Sequence, residues 1–233
     1  MSSRTLERLG AASGLVGALM GPLGFGLFGS SALGQSLQGG SRASIASAVA
    51  VPVPATGFLG ISLDFVSSFL LILFAARLWA RLRRAEGDPG WLSMAALAGF
   101  ILGIAASFGD KVAFYALAVQ AGHGLDVEEA MTLGGIAMAS FNLAFFYITI
   151  LFVGCAAVVG LRTHALPTWL SWGGAVIAVL NLVSLLVPPT IAIPQIGFPL
   201  FFLWLLAASL VMLVRPEAPA VAAGSSTLTA VRA

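Results

Sequence analysis

Six long apolar segments constrain this chain before any other feature does: residues 9–33, 58–79, 91–117, 131–161, 169–187 and 198–214. A helix that crosses a bilayer needs about 20 mainly apolar residues, and all six reach or approach that length. The last is short and can extend back into the preceding loop. The fourth is longer than a membrane requires, so it must tilt or protrude. The chain is 59% hydrophobic and only 9% charged, with a mean hydropathy of +1.03, whereas a soluble domain carries about 25% charged residues. So few charges cannot cover a water-facing surface. The expected fold is therefore all-α, a polytopic transmembrane helix bundle of six spans over residues 1–214. Residues 215–233 read as a disordered cytosolic tail, because Pro, Ala and Ser without periodicity bury nothing.

The basic residues orient the bundle. An even number of spans puts both termini on one side, and with the N-terminus in the cytoplasm Arg4, Arg8, Arg77, Arg81, Arg83, Arg84, Arg162, Arg215 and Arg232 all fall inside. Only Arg42 and Lys111 fall toward the outside. Cytoplasmic loops collect Lys and Arg, so the expectation is N-in, C-in. The Arg bias and the abundance of Ala and Gly suggest a bacterial source, and the expected location is the bacterial cytoplasmic (inner) membrane. The outer side then holds the loop over 34–57, the HGLDVEE turn and the PPTIAIPQIG connection. A cleaved signal peptide is the alternative for the first segment, with Arg4 and Arg8 ahead of it and Ala32-Leu-Gly34 at cleavage-like spacing. Its apolar stretch, however, exceeds the roughly 7–15 residues of a signal-peptide core.

Local signals place several boundaries. Asp126-Val-Glu-Glu129 has capping-box spacing ahead of the fourth span. Thr168 is placed to cap the fifth, with Trp169 and Trp172 as interfacial anchors. RLRRAEGDPG (81–90) is a charged, Gly/Pro-punctuated turn. In the first span, Gly10, Gly14, Gly17, Gly21 and Gly24 recur at steps of four and three, which keeps them on one helical stripe. Gly99 and Gly103 repeat the device in the third. Lipid offers no hydrophobic drive for helices to associate, so close backbone approach along such stripes supplies dispersion contacts instead. Pro22 lacks an N–H and is expected to bend the first helix.

Few polar groups interrupt the apolar spans, and those few are the candidate site. The small-residue face of the third span continues from Gly99 and Gly103 through Ser107 to Asp110, turning the acid toward other helices. Asp110 lies nineteen residues beyond Trp91, or about 28 Å at the helical rise, and Asp64 lies about 9 Å below the start of the second span. Asp64, Asp110 and Lys111 thus share a depth. Neighbours in sequence point about 100° apart on a helix, so Lys111 is expected to reach Asp64 or to snorkel outward, with Asp110 held by Ser107 or by another helix. Asn142 and Asn181 fall near the middle of their spans, with Ser184 on the Asn181 face. Charges in a bilayer cost about 2.5–3.5 kcal/mol on insertion scales, and amides there commonly bond across helices.

Other chemistry is excluded by the residues. Cys155 is the only cysteine, which rules out an internal disulfide and any CxxC motif. His123 and His164 fall on opposite sides of the membrane, so no site can use both as ligands. HExxH, GxSxG and phosphate-loop motifs are missing. No cofactor and no metal is expected, and no basic face suits nucleic acid.

From about Ala55 to Arg215, and most of all in LRTHALPTWLSWGGAVIAVLNLV (161–183), the chain resembles the small six-helix integral membrane proteins common in actinobacteria. That group has no assigned activity, so the resemblance implies the six-helix plan and carries over no functional residue. The sequence alone favours a non-enzymatic protein that acts by association, as a scaffold, an accessory subunit or a homo-oligomer, in contact with the lipid bilayer and a possible membrane-protein partner. The alternative is a small transporter or channel for an ion, proton or small solute that uses Asp64, Asp110 and Lys111. A membrane enzyme acting on lipid comes third.

Overall fold

A computed structural model describes residues 3–186 and 193–214. The chain there runs through α1 (Ser3–Gly29), α2 (Ala32–Leu37), α3 (Arg42–Val49), α4 (Ala55–Glu86), α5 (Trp91–Gln120), α6 (Val127–Phe146), a π-helical segment (Tyr147–Val153), α7 (Gly154–Thr163), α8 (Thr168–Leu186) and α9 (Ile193–Val214). No strand occurs among the described residues. Six helices are long and apolar enough to cross a membrane: Thr5–Gly29, Ala55–Glu86, Trp91–Gln120, Val127–Thr163, Thr168–Leu186 and Gly197–Val214. The chain is a multi-pass integral membrane protein. Its surface carries the large apolar side chains, among them Leu19, Leu23, Phe69, Leu73, Ile101 and Val179, which is how a lipid-solvated bundle differs from a water-solvated one.

Several boundaries differ from those expected. The first span ends at Gly29 rather than 33, because Ser31 starts a new helix. Its hydroxyl accepts the Gly34 N–H at 3.0 Å and donates to the Phe28 carbonyl at 2.7 Å. Within the loop over 34–57, α2 and α3 fold over one end of the bundle, and Leu33, Ile45, Ala48 and Val49 pack with Phe114, Leu117 and Ala118. An exposed Arg42–Glu128 ion pair ties α3 to α6. The helix α1 runs on through Pro22. Asp126 caps α6 by accepting the Glu128 N–H at 2.9 Å. Thr168 is the first residue of α8 and not its cap, since the Pro167 carbonyl accepts the N–H of both Leu170 and Ser171 at 3.0 Å. The fourth span is one helix of 37 residues, with the π-helical segment inside it. The tail over 215–233, the last residue of the expected fifth span and residues 188–192 of the connection after it lie outside the described residues.

At the arginine-rich end, the turn between α4 and α5 is closed by Glu86. Its carboxylate accepts the Leu92 N–H at 3.0 Å and the Ser93 N–H at 2.8 Å, placing an anion at a helix N-terminus, where the dipole favours it. Arg81 donates to the Ala165 carbonyl at 2.9 Å and joins that turn to the one before α8.

The glycine stripes lie between helices of this same chain. Gly10, Gly14 and Gly17 face Arg77, Phe74 and Leu71 of α4, and Gly21 faces Ser67 of α4 and Phe202 of α9. Gly24 meets backbone: a methyl placed there would lie 2.5 Å from the Gly60 carbonyl oxygen and 2.9 Å from the Asp64 nitrogen. Gly99 and Gly103 of α5 accommodate Leu151 and Ile148 of the π-helical segment. Ser67 adds a hydrogen bond across the first seam, donating to the Gly17 carbonyl at 2.8 Å. Because backbone rather than a flexible side chain opposes Gly24, Gly24→Ala should lower stability by about 1–3 kcal/mol. Gly26→Ala, where nothing stands within 4 Å, should be neutral or stabilising. Thermal unfolding of the two variants in detergent checks the contrast.

Candidate functional site

Three helices bring the ionisable groups together. Asp64 faces α1 and α5 because Gly24 and Gly60 let the α1 and α4 backbones meet one turn away. On α5, Asp110 and Lys111 follow the small face formed by Gly99, Gly103 and Ser107. Asp110 is 3% exposed and Lys111 5%. The Lys111 ammonium lies 2.9 Å from Asp64 Oδ2 and 3.9 Å from Asp110 Oδ2. One cation therefore stands between two carboxylates, with the shorter contact to the neighbouring helix. The 100° step between adjacent residues explains why the sequence neighbour is the more distant partner.

Asp110 is left under-partnered. Its Oδ1 is buried and accepts no hydrogen bond. Ser107, expected to hold it, instead donates to the Ile104 carbonyl of its own helix at 2.9 Å, a bond always within reach of a helical serine. Ser68 likewise donates to the Asp64 carbonyl at 3.1 Å. A buried polar atom without a partner costs about 1–3 kcal/mol, so the fold retains Asp110 at a cost.

Asp110 also lines a half-open cavity of about 80 Å³ between α1, α4, α5, α6 and α9. Its polar wall is Asp64, Ser67, Ser68, Ser107, Asp110 and Lys111, and its opposite wall is aromatic. Phe25, Phe141 and Phe198 meet pairwise with ring centroids 5.6 Å apart, and Phe198 lies 4.8 Å from Phe202 and 5.9 Å from Phe145. A second, smaller cavity of about 20 Å³ lies on the other side of the same three charged residues, toward α2 and α3, against Gly24, Phe28, Gly60 and Phe114. The charged cluster thus separates two spaces along the bundle axis. The larger cavity also touches Ile148 in the π-helical segment, a kind of insertion found frequently at functional sites.

The other residues singled out in the sequence are not part of this cluster. Asn142 is exposed on α6, so it does not pair with Asn181 across the bundle. The 3.6-residue period puts Phe141, Ala144 and Phe145 on the inner face of α6 and turns Asn142 away from it. Asn181 is fully buried, donates to the Ile177 carbonyl at 2.9 Å and leaves its Oδ1 unpartnered, yet it lies against Gly197 and Phe145 rather than in the cavity. Ser184 is half-buried and makes no hydrogen bond among the described residues. No group of three or more His, Cys, Asp or Glu that could hold a metal ion occurs among the described residues.

Sequence reasoning missed the aromatic wall and the Ser67–Ser68 pair. Both left a signal. Phe141 and Phe145 stand four apart, Phe198 and Phe202 likewise, and two consecutive serines follow Asp64 by one helical turn in an otherwise apolar span.

Removing one partner of a buried ion cluster leaves uncompensated charge, at a cost of about 3–5 kcal/mol. Lys111→Met should therefore destabilise strongly, while the double variant Asp64→Asn/Lys111→Met should recover much of the loss. Unfolding midpoints of the two single variants and the double variant check this coupling. No family model matches the chain, and no curated protein or solved structure matches it either. The functional reading therefore rests on the site itself.

Proposed function

We propose that this protein is a small membrane transporter or channel for an ion, a proton or a small solute, with Asp64, Asp110 and Lys111 as its polar site. One observation carries the reading: a carboxyl only 3% exposed, with one oxygen that has no hydrogen-bond partner, lines two cavities within an apolar bundle. Ionisable groups inside membrane spans are costly and mark substrate or ion paths, and two cavities meeting at one charged cluster supply the elements of such a path.

The glycine stripes, one of the features that favour the reading by association, face α4, α9 and the fourth span of the same chain. They are used in building the bundle, so they do not call for an external partner. The bias of arginine toward one end supports a cytoplasmic position for that end in the bacterial inner membrane, which puts the charged cluster in the outer half of the bilayer.

Purified protein in liposomes, with an imposed gradient of protons, sodium, potassium or a small solute, tests the proposal. The wild type should dissipate one of these gradients, and Asp110→Asn and Asp64→Asn should each slow the flux by about tenfold or more, a change of about 1.4 kcal/mol in barrier. Flux indistinguishable from protein-free liposomes for every gradient would overturn the reading. Flux that survives both substitutions would remove these residues from it.

A further inference from the structure

The charge count at the site says what it can take. Two carboxylates and one ammonium sum to a single negative charge in an apolar bundle, so the cluster lacks one unit of positive charge. From α1, α6 and α9 only glycine, alanine and phenylalanine side chains line the cavities near Asp110, and Ile148 lines them from the π-helical segment. The titratable groups that face Asp110 are thus Asp64 on α4 and Lys111 beside it. A metal cation with a preference for oxygen takes a shell of about six or more ligands. Beside Asp110 the serine hydroxyls of the polar wall donate to backbone carbonyls, the remaining lining is aromatic and aliphatic, and the ammonium at 3.9 Å repels a second cation. The space toward α2 and α3 is about 20 Å³, room for about one water molecule and too little for a hydrated ion. A proton needs only one oxygen, and Asp110 Oδ1 is buried and unpartnered.

We propose that Asp110 is a single-proton site at the junction of the two cavities, and that Lys111 is the counter-charge that responds to its state. This inference rests on the transport reading above and names its substrate. The balance is simple: a proton arriving through water on one side adds to the Asp110 carboxylate, the cluster goes from one negative charge to none, and the proton later leaves from the same oxygen to the other side. While Asp110 is ionised, it and Asp64 share the ammonium between them. Once Asp110 is protonated its pull is gone, and Lys111 belongs to Asp64 alone. The movement required is short, since the two contacts differ only between 2.9 and 3.9 Å.

Infrared difference spectra between high and low pH, taken on the protein in lipid nanodiscs, test the site without depending on transport. The expected result is a buried carboxylic C=O band worth one group that appears on acidification. It should be absent from Asp110→Asn, retained in Asp64→Asn and moved in frequency in Asp110→Glu. The glutamate variant keeps the charge and so assigns the band even if the asparagine variant does not fold. A band that belongs to Asp64, that is indifferent to both Asp110 variants, or that sodium abolishes at fixed pH would overturn the proposal. A correctly assigned band with liposomes that pass nothing would leave the proton site standing and remove the transport reading. Solute flux with no Asp110 band would do the reverse.

Discussion

The approach of α1 to α4 at Gly24 and Gly60 is the contact on which the site depends. In lipid nothing drives helices together except packing, hydrogen bonds and the freedom of the lipid itself. Two glycines facing each other let backbone meet backbone, and the same crossing presents Asp64 to the interior. A side chain at either position would push the helices apart at the level where Lys111 now reaches across 2.9 Å. Ser67, bonded to the Gly17 carbonyl, holds the seam two turns further along. The ion pair is thus a consequence of helix packing, which buries its ammonium and leaves Asp64 partly exposed.

The second device is the division of labour between Asp110 and Lys111. They adjoin in sequence but point in different directions, and that divergence sends the lysine to Asp64 of α4 and leaves the acid the more distant of its two partners. Had the two carboxylates flanked the ammonium equally, the cluster would read as a closed structural network. Its two contacts are instead unequal, 2.9 and 3.9 Å, and Asp110 Oδ1 has no hydrogen-bond partner. The phenylalanine wall opposite offers no competing hydrogen bond. What enters the cavity therefore meets one polar end.

The helical plan and the candidate residues were legible in the residues themselves because their causes are local. Apolar length identifies a span, glycine spacing of four and three identifies a packing stripe, and an acid inside such a stripe is turned inward by the helical period alone. The same period should have separated Asn142 from the interior once Phe141 and Phe145 were recognised as the inward pair, and it would then have revealed the aromatic wall. The π-helical segment left no such mark, since YITILFV differs in no local respect from an α-helical run. In the fold its Leu151 and Ile148 lie against Gly99 and Gly103.

By itself the sequence determined that this chain folds as six apolar helices, that its arginines gather at one end, and that three ionisable side chains occupy one depth in the bundle. These follow from composition, length and periodicity, which act on each helix separately. Only the tertiary structure decided which stripe meets which helix, that the glycines are used within the chain, and that Lys111 prefers Asp64 to Asp110. It alone decided that a cavity opens beside the acid and that α2 and α3 cover one end. Those outcomes depend on how separate helices fill space against one another, and no single segment carries that information.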